Sequence, residues 1–176
     1  GLYRGTVPIA STLAACAAAD GEEAELVRTL AARYPDDPSV VVTLLLNRVH
    51  LEPGEALHLT AGNLHAYLHG AGVELMSASD NVVRGGLTVK HVDVDELLRI
   101  LDPTPLADPV MTLAEPGVYP LPEAGCALLR LAAGTTHVST GHEIALSLDG
   151  ATRYLPPGAE LTTVATTFVV TATTTN

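Results

Sequence analysis

Between Leu51 and Lys90 the sequence gathers side chains able to bind metal, hold an anion and move a proton. His65 and Tyr67 lie in GNLHAYL, Glu74 in GVELM, and Asp80 and Arg84 in SDNVVRGGLT; Lys90 is the only lysine of the chain. An imidazole can ligate a divalent metal or carry a proton. A fixed guanidinium can grip a phosphate with two bonds or stabilise developing negative charge. In an extended segment residues 65 and 67 share a face, so His65 and Tyr67 would look into one cavity. Gly85, next to Arg84, lets the backbone approach a substrate closely. Each side chain also has an ordinary structural reading: a hydrogen-bonded core histidine, a solvated surface cation, acids that serve solubility. His69 adds a competing set with His65 and Glu74 that would suit a different metal. No Ser-His-Asp or Cys-His arrangement accompanies these residues, and no phosphate-cradling glycine loop opens a helix.

The block resembles the signature region of the type I phosphomannose isomerases, zinc enzymes of the cupin superfamily. HAYL matches residue for residue. SDNVVRGGLTVK is similar to the family's SDNVVRAGLTPK, departing within the glycine pair 85–86 and at Val89. Leu64 stands where many members carry proline. Upstream, YPDDPSVVVTLLLN is similar to the family's YPGDPGV…LLLN, so the resemblance runs from about Tyr34 to Leu101. It implies interconversion of mannose 6-phosphate and fructose 6-phosphate through a cis-enediol, with zinc polarising the sugar oxygens. The same resemblance implies His65 as a zinc ligand, Arg84 and Lys90 as catalytic residues, and Tyr67, Glu74 and Asp80 around the substrate.

It implies a shortfall as well. The family takes its other zinc ligands from a Q-x-H-P and a K-P-E segment, and this sequence has no glutamine and no His-Pro pair. A single imidazole does not hold Zn²⁺ tightly. The chain therefore reads as the C-terminal portion of such an isomerase, expected to be inactive by itself. The alternative is a non-enzymatic cupin module that binds sugar phosphates.

The elements that would position these residues read as a mainly β fold, with cupin or jelly-roll β-barrel units behind a short α-helical segment. Residues 1–47 read as helical. Ser11 or Thr12 could cap the first helix, acids lead and arginines trail over Glu22 to Arg33, and Pro38 could open a third. Residues 48–104 read as a partial central, catalytic cupin of short strands cut by turns, with a helix at about 93–101 capped by Asp93. Pro103, Pro105 and Pro109 make a stiff connector. Residues 105–176 read as a degenerate C-terminal jelly-roll cupin rich in alternating Thr and Val.

A weak repeat links the two β units: Gly54, Gly62 and His65 recur at the same spacing as Gly150, Gly158 and Leu161. This is similar to the second cupin motif, and His137, Ser139, Glu143 and Gly150 are similar to the first. Ser139 and Leu161 occupy positions where cupins place ligand histidines. The C-terminal unit thus reads as a structural barrel with a lost site.

Composition narrows the partners. The 176 residues carry a formal charge of −11 with nine basic residues, too few for a stripe along a phosphate backbone or an anionic membrane. A small sugar phosphate could still bind in a local basic pocket. At 47% apolar, with no Trp and one Phe, the core must be aliphatic. Cys16 and Cys126 lack a CxxC pattern and read as free thiols, which suits a cytoplasmic protein. Open sheet edges in the central unit would call for cover by self-association or by an N-terminal half.

Overall fold

The computed structural model describes residues 1–76, 81–113, 117–121 and 125–172, without the side chain of Pro120. Asp80 lies outside the described residues. The described chain forms two compact units: Gly1–Val49 with Thr60–Leu68 and Asp80–Pro105, and His50–Leu59 with His69–Ser79 and Leu106–Asn176.

The first unit is built on helices. α1 (Ala10–Ala18) is alanine-rich and starts from Ile9 without a side-chain cap, so neither Ser11 nor Thr12 plays that part. α2 (Glu22–Arg33) carries Glu22, Glu23 and Glu25 in its first turn and Arg33 in its last, the polarity that the helix dipole favours. The Arg28 guanidinium reaches back to the Cys16 and Ala19 carbonyls, two acceptors at the end of α1. α3 (Ser39–Val42) opens behind Pro38 and runs into a 3₁₀ turn, Thr43–Leu45. Cys16, Ala24, Val27, Leu30 and Val40 form the core of these helices. Leu87, distant in sequence, packs against the same core. α4 (Val94–Ile100) begins at Asp93, whose carboxylate accepts the Glu96 N–H at 3.0 Å, and it buries Leu97.

The second unit holds the strands. β1 (Glu55–Leu57) pairs antiparallel with β2 (Val110–Thr112). A five-stranded antiparallel sheet follows, in the order β3 (Gly117–Leu121), β4 (Cys126–Leu131), β9 (Thr167–Ala172), β6 (Glu143–Ser147), β7 (Thr152–Leu155). β5 (Thr136–Val138) and β8 (Glu160–Thr162) make a separate ladder in which His137 sits opposite Leu161. Leu131, Ala145, Leu155, Leu161 and Val169 fill the space inside. Alternation explains this choice, since β6 turns Glu143 and Ala145 inward and Ile144 outward. The fold is mainly β with helices ahead of it, as the residue pattern implies.

The central segment departs from expectation. Of the short strands foreseen between residues 48 and 92, β1 is the only regular one among the described residues; residues 58–60, 63–76 and 81–93 form no helix or strand. A strand needs a neighbour to satisfy its N–H and C=O groups, and among the described residues of this segment β1 has one in β2. The glycine repeat does have a structural counterpart. Gly54 and Gly62 have φ of 100° and 88°, and Gly150 and Gly158 have φ of 95° and 78°, so both copies turn the chain through left-handed backbone at the same spacing.

Candidate active site

The loop that carries His65 is held from beneath. Asn63 Oδ1 accepts from both the N–H and the hydroxyl of Thr60 at 3.0 Å, closing a four-residue turn. The Gly62 carbonyl accepts the Asp102 N–H at 3.0 Å, tying that turn to the chain just past α4. His65 Nδ1 lies 3.0 Å from the Asn63 carbonyl. A carbonyl only accepts, so Nδ1 carries the proton and the lone pair of the neutral ring sits on Nε2. The Tyr67 ring meets the imidazole edge-on, with centroids 6.0 Å apart. The two side chains do come together, although no strand aligns them.

Arg84 is exposed and forms no ion pair or hydrogen bond with any described residue. The backbone beside it is tightly fixed. The Tyr3 hydroxyl donates to the Gly85 carbonyl. Burial, then the charge of Asp37, raises the Tyr3 pKa above its ordinary value, so the phenol stays a donor. Leu87 has φ of 50°, a left-handed backbone that costs a branched residue on the order of 1–3 kcal/mol. Its N–H is accepted by Asp37 Oδ2 and by Ser39 Oγ, each at 2.9 Å. Ser39 is buried, and its own N–H and hydroxyl donate to Asp37 Oδ1. A Cβ on Gly86 would lie 2.2 Å from Ser39 Cβ and Oγ, so only glycine allows this approach. A Cβ on Gly85 would lie 2.2 Å from Leu64 Cδ1. Leu64 precedes His65 and Gly85 follows Arg84, so this contact brings the two candidate loops together.

Lys90 and Glu74 are exposed, and Glu74 belongs to the other unit. Tyr67 is 76% exposed, and Val89, next to Lys90, is fully exposed. Among the described residues no three His, Cys, Asp or Glu side chains come together as a metal would require. His65, His69 and Glu74 thus form no such group.

The motif residues of the C-terminal barrel have structural work instead. His137 Nε2 and Glu143 Oε2 are 2.6 Å apart, and the Glu143 side chain is 1% exposed. Thr171 Oγ1 and the Thr140 N–H donate to the other carboxylate oxygen at 2.9 and 3.2 Å. Burial alone would raise the Glu143 pKa. The hydrogen bonds from His137, Thr171 and Thr140, with the His137 charge, outweigh it and hold the pKa below the ordinary value. Ser139, in place of a ligand histidine, is buried and donates to the Pro156 carbonyl while accepting the Ala159 N–H at 2.9 Å. Leu161 is part of the core. A cavity of about 220 Å³ in this barrel is lined by Ser147, Arg153, Thr163 and Thr167 and by none of the Leu51–Lys90 residues.

No family model matches the chain. Over 78 residues it is 49% identical to mannose-6-phosphate isomerase from Salmonella typhimurium, which covers 44% of this chain and 20% of that protein. Over 80 residues it is 50% identical to mannose-6-phosphate isomerase 2 from Arabidopsis thaliana, covering 46% of this chain and 18% of that protein. The relatives of this chain are mannose-6-phosphate isomerases. The fold agrees. A crystal structure of a lysine-to-alanine mutant of phosphomannose isomerase from Salmonella typhimurium superimposes with a TM-score of 0.68 at 28% identity, covering 93% of this chain and 49% of that one. Histidine-to-alanine and arginine-to-alanine mutants of the same isomerase match with TM-scores of 0.67. The chain spans about a fifth of the length of the curated relatives it matches and about half of the solved isomerase chains. No helix among the described residues is long and apolar enough to cross a membrane.

Proposed function

We propose that this chain carries one part of the active site of a mannose-6-phosphate isomerase, and that the full-length protein interconverts mannose 6-phosphate and fructose 6-phosphate. The observation that carries the reading is the fixed pair of loops: His65 with its Nε2 lone pair free, and Arg84 projecting from a backbone bonded on its C-terminal side. A further support comes from the solved relatives. The histidine and the arginine replaced in two of those mutants are separated by the same number of positions as His65 and Arg84.

In this reading the aldose and ketose exchange a proton between C1 and C2. The Arg84 guanidinium stabilises the charge that develops on the sugar oxygens, where a desolvated site makes it most effective. Lys90 acts as a point charge toward the phosphate. Tyr67, Glu74 and Asp80 hold sugar hydroxyls. Zinc is the proposed metal of the full-length protein, with His65 as one ligand. The ligands beyond His65 would have to come from outside this chain, and no step is assigned to the metal here. Sugar phosphate as the small-molecule partner and the cytoplasm as the compartment belong to the same proposal.

The experiment is a metal and turnover assay on the full-length protein. His65→Ala should lose both bound zinc and isomerase activity, while His69→Ala should keep both. Zinc retained by His65→Ala and lost by His69→Ala would favour the competing metal set. Tight binding of mannose 6-phosphate without turnover by the zinc-loaded wild type would favour the non-enzymatic module.

A further inference from the structure

We infer that Tyr3, Asp37 and Ser39 are positioning residues for Arg84, and that the helical segment serves as the clamp that sets the arginine's direction. This deepens the proposed function and rests on Arg84 acting on the substrate.

Three contacts converge on the residues that follow Arg84. The Gly85 carbonyl is capped by the Tyr3 hydroxyl. The Leu87 N–H is held by two acceptors, Asp37 Oδ2 and Ser39 Oγ. The Leu87 side chain packs against the helical core formed by Cys16, Ala24, Val27, Leu30 and Val40. All span more than forty positions in sequence, with separations of 82, 50 and 48 for the three hydrogen bonds. Such long-range bonds do not arise from local turn formation. They fasten a segment that forms no helix or strand to elements that are regular and packed.

The direction of an exposed side chain is set by its backbone. Arg84 has no described side-chain partner to aim it. Its Cα–Cβ vector is therefore fixed by the loop, and the loop is fixed by these bonds. The left-handed Leu87 and the glycine at 86 belong to the same device, since the Leu87 N–H reaches Ser39 only because position 86 has no side chain. A displacement of about 1 Å at a catalytic group can cost on the order of 100-fold in rate. The helical segment touches none of the proposed substrate-binding side chains through these bonds, so its effect would pass through Arg84.

The test uses the full-length protein. Asp37→Ala with Ser39→Ala removes both acceptors of the Leu87 N–H and leaves Arg84 intact. Hydrogen exchange of the Leu87 amide is measured alongside kcat and KM for mannose 6-phosphate, and kcat is measured again with Arg84→Ala added. We expect faster Leu87 exchange and a fall in kcat of about 10- to 100-fold with a smaller change in KM. No further loss should appear once Arg84 is alanine. An equal loss in the Arg84→Ala background would overturn the inference, because damage that bypasses Arg84 adds to its removal. Unchanged exchange at Leu87 would overturn it too. Full turnover by Arg84→Ala would sink the catalytic reading and the positioning role with it, and lost protection at Leu87 in the same experiment would show that the fault lay in the reading and not in the clamp. Should the double variant fail to fold, Ser39→Ala alone removes one of the two acceptors and should show both effects to a smaller degree.

Discussion

Removing Glu143 should unfold the C-terminal barrel more readily than its position far from any proposed chemistry would imply. The carboxylate is 1% exposed and receives hydrogen bonds from His137, Thr171 and the Thr140 backbone. Glu143→Ala strands the partly buried His137 and Thr171 side chains beside an aliphatic interior that holds Leu155, opposite residue 143 on β7, and Ala145. Breaking a buried pair by deleting one partner costs about 3–5 kcal/mol. For a unit of this size each kcal/mol shifts Tm by about 4–8 °C, so the fall should be at least about 12 °C. The pH dependence has a definite sign. The folded-state pKa of Glu143 is depressed, so its contribution is present above the unfolded carboxyl pKa, about 4.3, and is lost as pH falls through the lower folded value. The variant should therefore lose less stability than wild type on acidification. Adding His137→Leu should recover part of the loss, because it removes a stranded imidazole. The assay is thermal unfolding followed by circular dichroism at neutral pH and again in the acid range. A Tm within about 2 °C of wild type at neutral pH would refute the reasoning, since even a single unsatisfied buried group costs about 1 kcal/mol or more.

Two smaller predictions test the loops. Gly85→Ala should cost about 1–3 kcal/mol from overpacking against Leu64, and Leu64→Ala should relieve much of it, a coupling that a double-mutant cycle in denaturant would read. Asp93→Ala should cost about 1 kcal/mol through loss of the α4 cap, while Asp93→Asn should be nearly neutral in the same unfolding assay.

Much of the architecture is legible in the residues. Acids before arginines mark α2, Asp93 marks the start of α4, and the Thr- and Val-rich alternation marks the C-terminal strands. The middle was not legible, because β-propensity reports what a segment suits and not whether a neighbour is present. Residues 63–76 have the look of strands and pair with no strand among the described residues. The site was legible in part. His65 and Tyr67 meet edge-on at the surface and not on the strand face their spacing suggested, while the Asp37–Leu87 bond carries no sequence signal beyond an aspartate and a serine flanking Pro38 at a helix start. That pattern predicts a local turn, which does form through Ser39, but not the second carboxylate oxygen reaching across to residue 87. The contact of Leu64 with Gly85 is likewise visible only in three dimensions, since nothing in the spacing of the two positions signals it.

The central claim is that the segment around His65 and Arg84 belongs to an isomerase active site. It is tested most directly by the turnover of mannose 6-phosphate by the full-length Arg84→Ala protein, with zinc measured on the same sample. The account predicts zinc bound as in wild type and turnover lost by several orders of magnitude. Wild-type turnover by the variant, or a wild-type protein that holds zinc and converts no mannose 6-phosphate, would contradict it.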